Sequence, residues 1–473
     1  GVTVLGVSLA ALVSLCEFPG RRWFDWALML PLAIPGYVMA FVYLGLLSFA
    51  GPLQSWIRAV FGSSNWFPDI RAAWGVILVL SLVLYPYVYM LARSSFLMQG
   101  RNLLDAGRSL GLDARASFFR IVLPVARPAI AGGLALALME TLADFGAVSV
   151  LSFDTFTTAI YGAWYGLFNQ AVAAQMSTLL LGFVILTLVL EQMSRRQARY
   201  AQGDQRPLKP YRLKGARAWG AFAWCLAILL IAFVVPVTQL VIWVFEAGAG
   251  EFDPRYPEFL GHTLGLAAIS AILAGGLALL LGVMRRLKGS GSDRLFRAVC
   301  VKLATMGYAI PGSVLAMGII VAFSWTDRTL MGILGSGPFL VGSVSALVLA
   351  YLTRFLAAAF APIDASLERM KPSMIEAARS LGTPPARILR QLYLPALWPG
   401  FLTAAIIVFV DVMKEMPATL ILRPLNGWDT LAVRGYQMTA EGQWERAALP
   451  ALTLLLMGLL PVYVLLRKSA RVD

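Results

Sequence analysis

Charge is scarce in this chain of 473 residues: 14% of positions are Asp, Glu, Lys or Arg, 59% are hydrophobic, and mean hydropathy is +0.74. A soluble domain carries about a quarter charged residues, so water is excluded as the main solvent. Histidine is scarcer still, with His262 alone; a zinc site needs a cluster of ligands that one histidine cannot supply. The three cysteines, Cys16, Cys225 and Cys300, stand in or beside apolar runs without paired spacing, which points away from a disulfide framework or a thiolate metal site. The nucleotide-binding pattern G-x-x-x-x-G-K-[ST] is absent, so the chain is no ATPase of that kind. No nucleophile with a nearby base suggests an enzyme. No signal peptide with a basic start and a cleavage site is visible, and the chain opens at Gly1 rather than methionine, which reads as a missing piece.

What the chain has in quantity is long apolar runs. Eleven reach or approach the roughly 20 residues that cross a bilayer as a helix, near 2–16, 27–49, 74–97, 128–151, 171–192, 218–245, 262–284, 300–324, 339–360, 400–422 and 449–467. If these alternate in direction, the loops and span ends on one side hold 29 of the 39 basic residues and the other side seven. Arginine and lysine accumulate on the cytoplasmic face of membrane helices. The bias orients the chain and accounts for its net charge of +14 without invoking nucleic acid.

The sequence also repeats itself. "LLDAGRSLG" at 103–111 matches "MIEAARSLG" at 374–382; Leu123-Pro124 recurs as Leu394-Pro395, and Pro128 as Pro399. Upstream, "IPGYVMA" at 34–40 parallels "IPGSVLA" at 310–316. Downstream, Glu140 and Asp144 align with Asp411 and Glu415, and "DTFTTAIY" at 154–161 with "DTLAVRGY" at 429–436. This divides the chain into a first domain at 1–193, a basic cytoplasmic linker at 194–217 and a second domain at 218–473. The second repeat has six spans and the first five, so an opening helix is expected before Gly1. Both repeats reach their charged insert from the same side, which makes them parallel repeats about an axis normal to the membrane, a design that can enclose a path.

Each insert reads as a helix that stops at a glycine, Gly111 or Gly382, suited to a left-handed helix end. A second short helix comes next, near 114–121 and 385–392, with Pro124 and Pro395 as limits. Small residues at 106, 107, 377 and 378 would let another surface come close. The order of an acid, Ala, Ala or Gly, then a glycine, then Leu-Pro resembles the EAA loop of binding-protein-dependent ABC importer permeases. It occurs twice, on the expected cytoplasmic side, and the first copy departs from the pattern with Asp105 for Glu and Gly107 for Ala. The likeness covers nearly the whole chain and is greatest to the fused, two-domain permeases of ferric iron importers, through "METLADFGAVSVL" at 139–151, "FTTAIY" at 156–161 and "DVMKEMPATLIL" at 411–422; thiamine permeases also occur as fused pairs.

This resemblance implies an all-α, polytopic protein of two six-helix permease units (the type I ABC importer fold) in a bacterial inner membrane. It implies that Asp105, Ala106, Gly107 and Gly111, with Glu376, Ala377, Ala378 and Gly382, couple the chain to two ATP-binding subunits, and that a periplasmic substrate-binding protein docks on the other face. The chain itself would hold no cofactor, ATP and magnesium being bound by the partners. Thiamine, sulfate or polyamine are the alternative cargoes. A secondary transporter with two parallel repeats is the alternative class.

Acids inside a membrane are costly and usually face a cavity or a partner. Glu140 and Asp144, four residues apart, are expected on one helix face, with Glu140 roughly 18 Å past Pro128 at about 1.5 Å per residue. Asp411 and Glu415 repeat the placement. Carboxylates are hard oxygen ligands, so these four could line a path for ferric iron and bind it; equally, they could be structural, paired with Lys414 or with helix ends. His262 reads as an interfacial side chain. Tyr161, Trp164, Trp428 and Tyr436 read as interfacial aromatics or as contacts for the binding protein.

Overall fold

The computed structural model describes residues 1–196, 211–248, 253–286, 291–334, 340–370, 372–424 and 428–469. Most of the linker expected at 194–217 therefore lies outside the described residues. The chain is a multi-pass helical membrane protein: among the described residues, nine helices are long and apolar enough to cross a bilayer. The other two expected spans are Val2–Leu15, an apolar helix of 14 residues, and a stretch within the helix Trp444–Ser469. The all-helical expectation gains one addition, a parallel pairing of Cys16–Glu17 with Tyr211–Arg212.

Three spans begin elsewhere than the apolar runs suggest, for reasons of backbone chemistry. The run at 27–49 becomes an elbow and then the helix Gly36–Leu47, because Pro31 and Pro35 interrupt helical pairing. Likewise, 300–324 resolves into Gly291–Thr305 and, after Pro311, Gly312–Leu334. The run at 128–151 is helical from Leu123 to Ala143 and stops at Asp144. Nor does Leu-Pro limit the second helix of either insert. Residues Phe118–Val122 and Leu389–Tyr393 form single π turns that lead into Leu123–Ala143 and Leu394–Lys414. A proline lacks the N–H that an α turn would use, and the wider turn just before it absorbs the misfit.

The chain packs as two compact units, residues 1–251 with 436–473, and residues 252–435. In the first, the helix Ala73–Ser109 is the spine. A Cβ on Gly6 would fall 2.7 Å from Val88 Cβ, and one on Gly133 would fall 2.7 Å from Val88 Cα, so two flanking helices meet the spine with bare backbone. Close approach through small residues is how helices gain dispersion contacts where lipid removes the hydrophobic drive. One face of the spine then stitches down the elbow. Tyr85 donates to the Leu28 carbonyl at 2.8 Å, Tyr89 to the Asp25 carbonyl at 3.0 Å, and Arg93 grips both Asp25 carboxylate oxygens at 2.6 Å. The spacing of four residues puts all three donors on one stripe. Residues 218–247, the opening span of the second sequence repeat, pack in this unit too: Trp243 joins Phe41 and Trp444 in a three-ring cluster with centroids 5.8, 6.5 and 6.4 Å apart.

The second unit is built on Tyr256–Arg286, Val344–Glu368 and Leu394–Lys414. Glycine again sets the spacing, since a Cβ on Gly400 would lie 2.9 Å from the Pro362 carbonyl oxygen. Outside the spans, Asp253 takes the backbone N–H of Arg255 at 3.0 Å and the Arg434 guanidinium at 3.2 Å. Burial pushes the Asp253 carboxyl up, but these donors and the two arginine charges outweigh it and hold the group below its ordinary range.

The bidentate Arg93–Asp25 pair is only partly exposed, so Arg93→Met is expected to cost roughly 1–3 kcal/mol by leaving a half-buried carboxylate unpaired. Asp25→Leu in the same chain should recover part of that loss. Thermal unfolding in detergent of both single variants and the double variant measures the coupling; equal and additive losses would remove the pair from the account.

Candidate functional site

The two inserts end their first helix by the same device. In the first copy the helix ends at Ser109, Gly111 sits at φ +79°, and the Leu112 N–H returns to the Gly107 carbonyl at 3.0 Å. In the second, Gly382 has φ +72° and the Thr383 N–H returns to the Ala378 carbonyl at 3.1 Å. This six-to-one bond around a left-handed glycine is the Schellman end expected from sequence. Asp113 then caps the next helix by accepting from the Ala116 N–H at 2.7 Å.

The small residues divide their labour in a way the sequence conceals. Gly107 is buried, and a Cβ there would collide with Ser117, so its smallness serves a contact inside the insert rather than with a visitor. Glu376 and Ala377 are exposed and Ala378 is partly so. The side chains of Asp105 and Ala106 are outside the described ones. Sequence reading missed Leu110 and Leu381, which stand at equivalent places before the glycine and are 77% and 84% exposed. Both repeats thus hold a large apolar side chain out at the same turn. The signal was present in the shared "SLG", hidden because leucine is ordinary in an apolar chain.

The copies differ in how the insert leaves its span. In the first, Ala73–Ser109 is one helix of 37 residues. In the second, the span ends at Glu368 and the insert helix Pro372–Ser380 begins anew. At the place of Pro372 the first copy has Arg101, and the residue before a proline is pushed out of the helical region.

The second acid of each pair sits at a break in the helix that carries the first. The helix Leu123–Ala143 stops at Asp144, which is extended at φ −67° and ψ 127°. Its Oδ1 accepts the N–H groups of Ala147 at 3.0 Å and Val148 at 3.1 Å, capping the short helix Gly146–Val150, and its carbonyl accepts from Thr157 at 2.6 Å. Glu415 repeats this in the second unit. It is extended at φ −71° and ψ 108°, accepts the Ala418 N–H at 3.2 Å, and heads the short helix Pro417–Leu422, while Thr419 donates to its carbonyl at 2.5 Å. Glu415 also takes the Arg354 guanidinium at 3.1 Å, both side chains being nearly buried. The expectation that Glu140 and Asp144 share one helix face is thus corrected: the helix ends between them because the second acid caps a new, short helix. The clue was an acid two residues before a glycine or proline that opens a new helix.

Each break presses on the matching IPG helix. A Cβ on Gly36 would lie 3.1 Å from Asp144 Oδ2, and one on Gly312 would overlap both Arg354 Nη1 and Glu415 Oε1. The repeated glycine is therefore a space requirement of the acid beside it. Glu140 and Asp411 lie half-buried, each three residues before the last helical residue of its span. Among the described residues no three Asp, Glu, His or Cys side chains gather closely enough to hold a metal ion. His262 stacks on Trp428 at 4.1 Å and 9°, with Nδ1 3.2 Å from the Asp429 carbonyl oxygen. Tyr161 packs on Phe145 at 5.0 Å, and the Tyr436 hydroxyl meets Ser149 at 2.7 Å.

Comparison with known proteins places these features in context. The profile of the binding-protein-dependent transport system inner membrane component matches the chain twice, over residues 3–200 and 274–469. An Fe(3+)-transport system permease of Haemophilus influenzae is 29% identical over 98% of this chain and 86% of its own length. A probable ABC transporter permease of Sinorhizobium fredii is 25% identical over 90% of this chain and 77% of its own. The CysW sulfate transport permease of Escherichia coli is 33% identical, over 32% of this chain and 50% of its own.

The unequal crowding at the two glycines gives an asymmetric expectation. Gly312→Ala should displace the buried Arg354–Glu415 pair and lower stability by roughly 1–3 kcal/mol, whereas Gly36→Ala, with one tight contact to a carboxylate oxygen, should cost roughly 1 kcal/mol or less. Melting temperatures of the two purified variants test this, and equal losses would refute it.

Proposed function

This chain belongs to the family of binding-protein-dependent transport system inner membrane components, and we propose that within it the chain is the permease of an ATP-driven importer that carries ferric iron into the cytoplasm. The single observation behind the coupling part is the matched pair of inserts, each with a Schellman end and an outward leucine. A rigid turn that presents Leu110 or Leu381 suits the groove of a soluble partner, and two such turns call for two ATP-binding subunits, which would bind ATP and magnesium themselves. A periplasmic binding protein would deliver cargo on the opposite face, and the membrane would be the bacterial inner one. Closure of the ATP-binding subunits would draw on the inserts and move the helices that continue from them.

Support for iron comes from the Haemophilus influenzae relative, whose likeness runs nearly end to end. The acids fit a cation cargo in chemistry. Asp144 and Glu415 give an oxygen to backbone N–H groups, and Glu140 and Asp411 stand one turn earlier in each unit. In this reading, the capping acids hold the breaks open and the preceding acids meet the cargo, as oxygen ligands suited to a hard ion. The sulfate permease likeness covers about a third of the chain, so the anion reading rests on less of it.

Three measurements test this. Uptake into vesicles of ferric iron, thiamine, sulfate and polyamine, each with its cognate binding protein, should show transport of iron alone. Leu110→Glu with Leu381→Glu should weaken copurification of the ATP-binding subunit by about tenfold or more, as charge enters an apolar contact; full retention would remove the docking role. Asp144→Asn keeps a helix-capping oxygen and removes the charge. With Glu140→Gln it should reduce uptake sharply at unchanged melting temperature, and intact uptake and ATPase coupling would make the acids structural.

A further inference from the structure

The stretch Tyr211–Arg217 leads into the span Ala216–Ala247, and its side chains take no part in the features described so far. Tyr211, Arg212, Leu213, Lys214, Ala216 and Arg217 line one side of a cavity of about 600 Å³ that is open to solvent. The strand pairing of Cys16–Glu17 with Tyr211–Arg212, together with the Leu213 N–H bond to the Glu17 carbonyl at 3.0 Å, fixes one wall of it. Arg212, Lys214 and Arg217 are exposed, and none of their side chains has an ion-pair or hydrogen-bond partner among the described residues. Three unpartnered cations on a pinned backbone form a positive patch whose charge is unspent.

Two further features surround it. Gly215, at φ +57°, turns the chain so that a helix starts at Ala216; the Ala218 and Trp219 N–H groups return to the Gly215 carbonyl, and those of Ala216 and Arg217 do not enter the helical ladder. Free N–H groups at a helix start favour a phosphate. Tyr211 in the lining is 48% exposed, and two more aromatics are exposed nearby in the chain or packed through it, Trp219 at 63% and Trp23 at 46%. Trp219 and Trp23 are tied through Phe222 and Phe24, with ring centroids 5.7, 5.5 and 5.0 Å apart along the chain of contacts. Amphipathic rings of this kind settle at headgroup depth.

From this geometry we propose that the Tyr211–Arg217 cavity binds a phosphate-bearing ligand at the membrane boundary, with the phosphodiester headgroup of an anionic lipid as the favoured source. Arg212, Lys214 and Arg217 hold the phosphate, the Ala216 and Arg217 N–H groups cap it, and Trp219 and Trp23 lie against the acyl region. Basic pockets at the ends of membrane helices take anionic headgroups in this way, each basic residue near the surface contributing. The site depends only on the chain being a membrane protein, and not on its cargo, its ATP coupling or its orientation.

The test uses the full chain in lipid nanodiscs of phosphatidylcholine with graded phosphatidylglycerol, and counts lipids retained on extraction by native mass spectrometry. Wild type should retain phosphatidylglycerol over phosphatidylcholine. Arg212→Gln, Lys214→Gln and Arg217→Gln together should lower the apparent affinity about a hundredfold. A control with the same charge change elsewhere, Lys302→Gln, Arg387→Gln and Arg390→Gln, should leave it unaltered. The charge-keeping pair Arg212→Lys with Arg217→Lys should keep most of the binding, so the idea stays testable should the triple variant fail to fold. Inorganic phosphate separates the sources: displacement of phosphatidylglycerol at millimolar phosphate supports the site and assigns it to the free ion, while no displacement assigns it to lipid. Equal retention by wild type and triple variant, or an equal loss in the control, would overturn the proposal.

Discussion

A helical break within a span leaves the carbonyls of the ending helix and the N–H groups of the next one with no water to bond, and each such group costs several kcal/mol in hydrocarbon. The chain meets this constraint twice with one solution: the carboxylate of Asp144 or Glu415 turns to cap the next short helix. Much else depends on those two caps. A carboxylate crowds the glycine that opens each IPG helix, leaving no room for a Cβ at Gly312 and only a tight fit for one at Gly36. Thr157 and Thr419 are recruited to the acid's own carbonyl. In the second unit the charge is also balanced by Arg354, which is how a buried carboxylate is tolerated.

Insert and break lie at opposite ends of one helix in each unit. Leu123–Ala143 begins at the insert's π turn and ends at Asp144; Leu394–Lys414 does the same at Glu415. A single stiff element therefore connects an exposed apolar turn to an acid in the span. Whatever displaces the insert reaches the acid with no loop in between to absorb it.

The sequence made the two-fold repeat, most of the spans and the glycine ends of the inserts legible, because these depend on local chemistry: apolar length, left-handed glycine and proline. It made the break around Asp144 illegible, since a four-residue spacing is the same string of letters whether the helix continues or ends. Hydropathy likewise ran Ala27 into Leu47, as the elbow of Pro31 and Pro35 is as greasy as the helix after it. The role of Gly107 was out of reach for another reason, because smallness does not say which neighbour requires it, and only packing against Ser117 decides.

Pro372 against Arg101 gives the two repeats different mechanics. The first insert is the tip of a single rod 37 residues long, while the second starts a new helix at Pro372 after a span that ends at Glu368. A rod passes a push along its whole length; a break in the helix lets the tip turn before the shaft responds. The two repeats are accordingly unlike levers, and equal displacements at their tips would reach the spans with unequal stiffness.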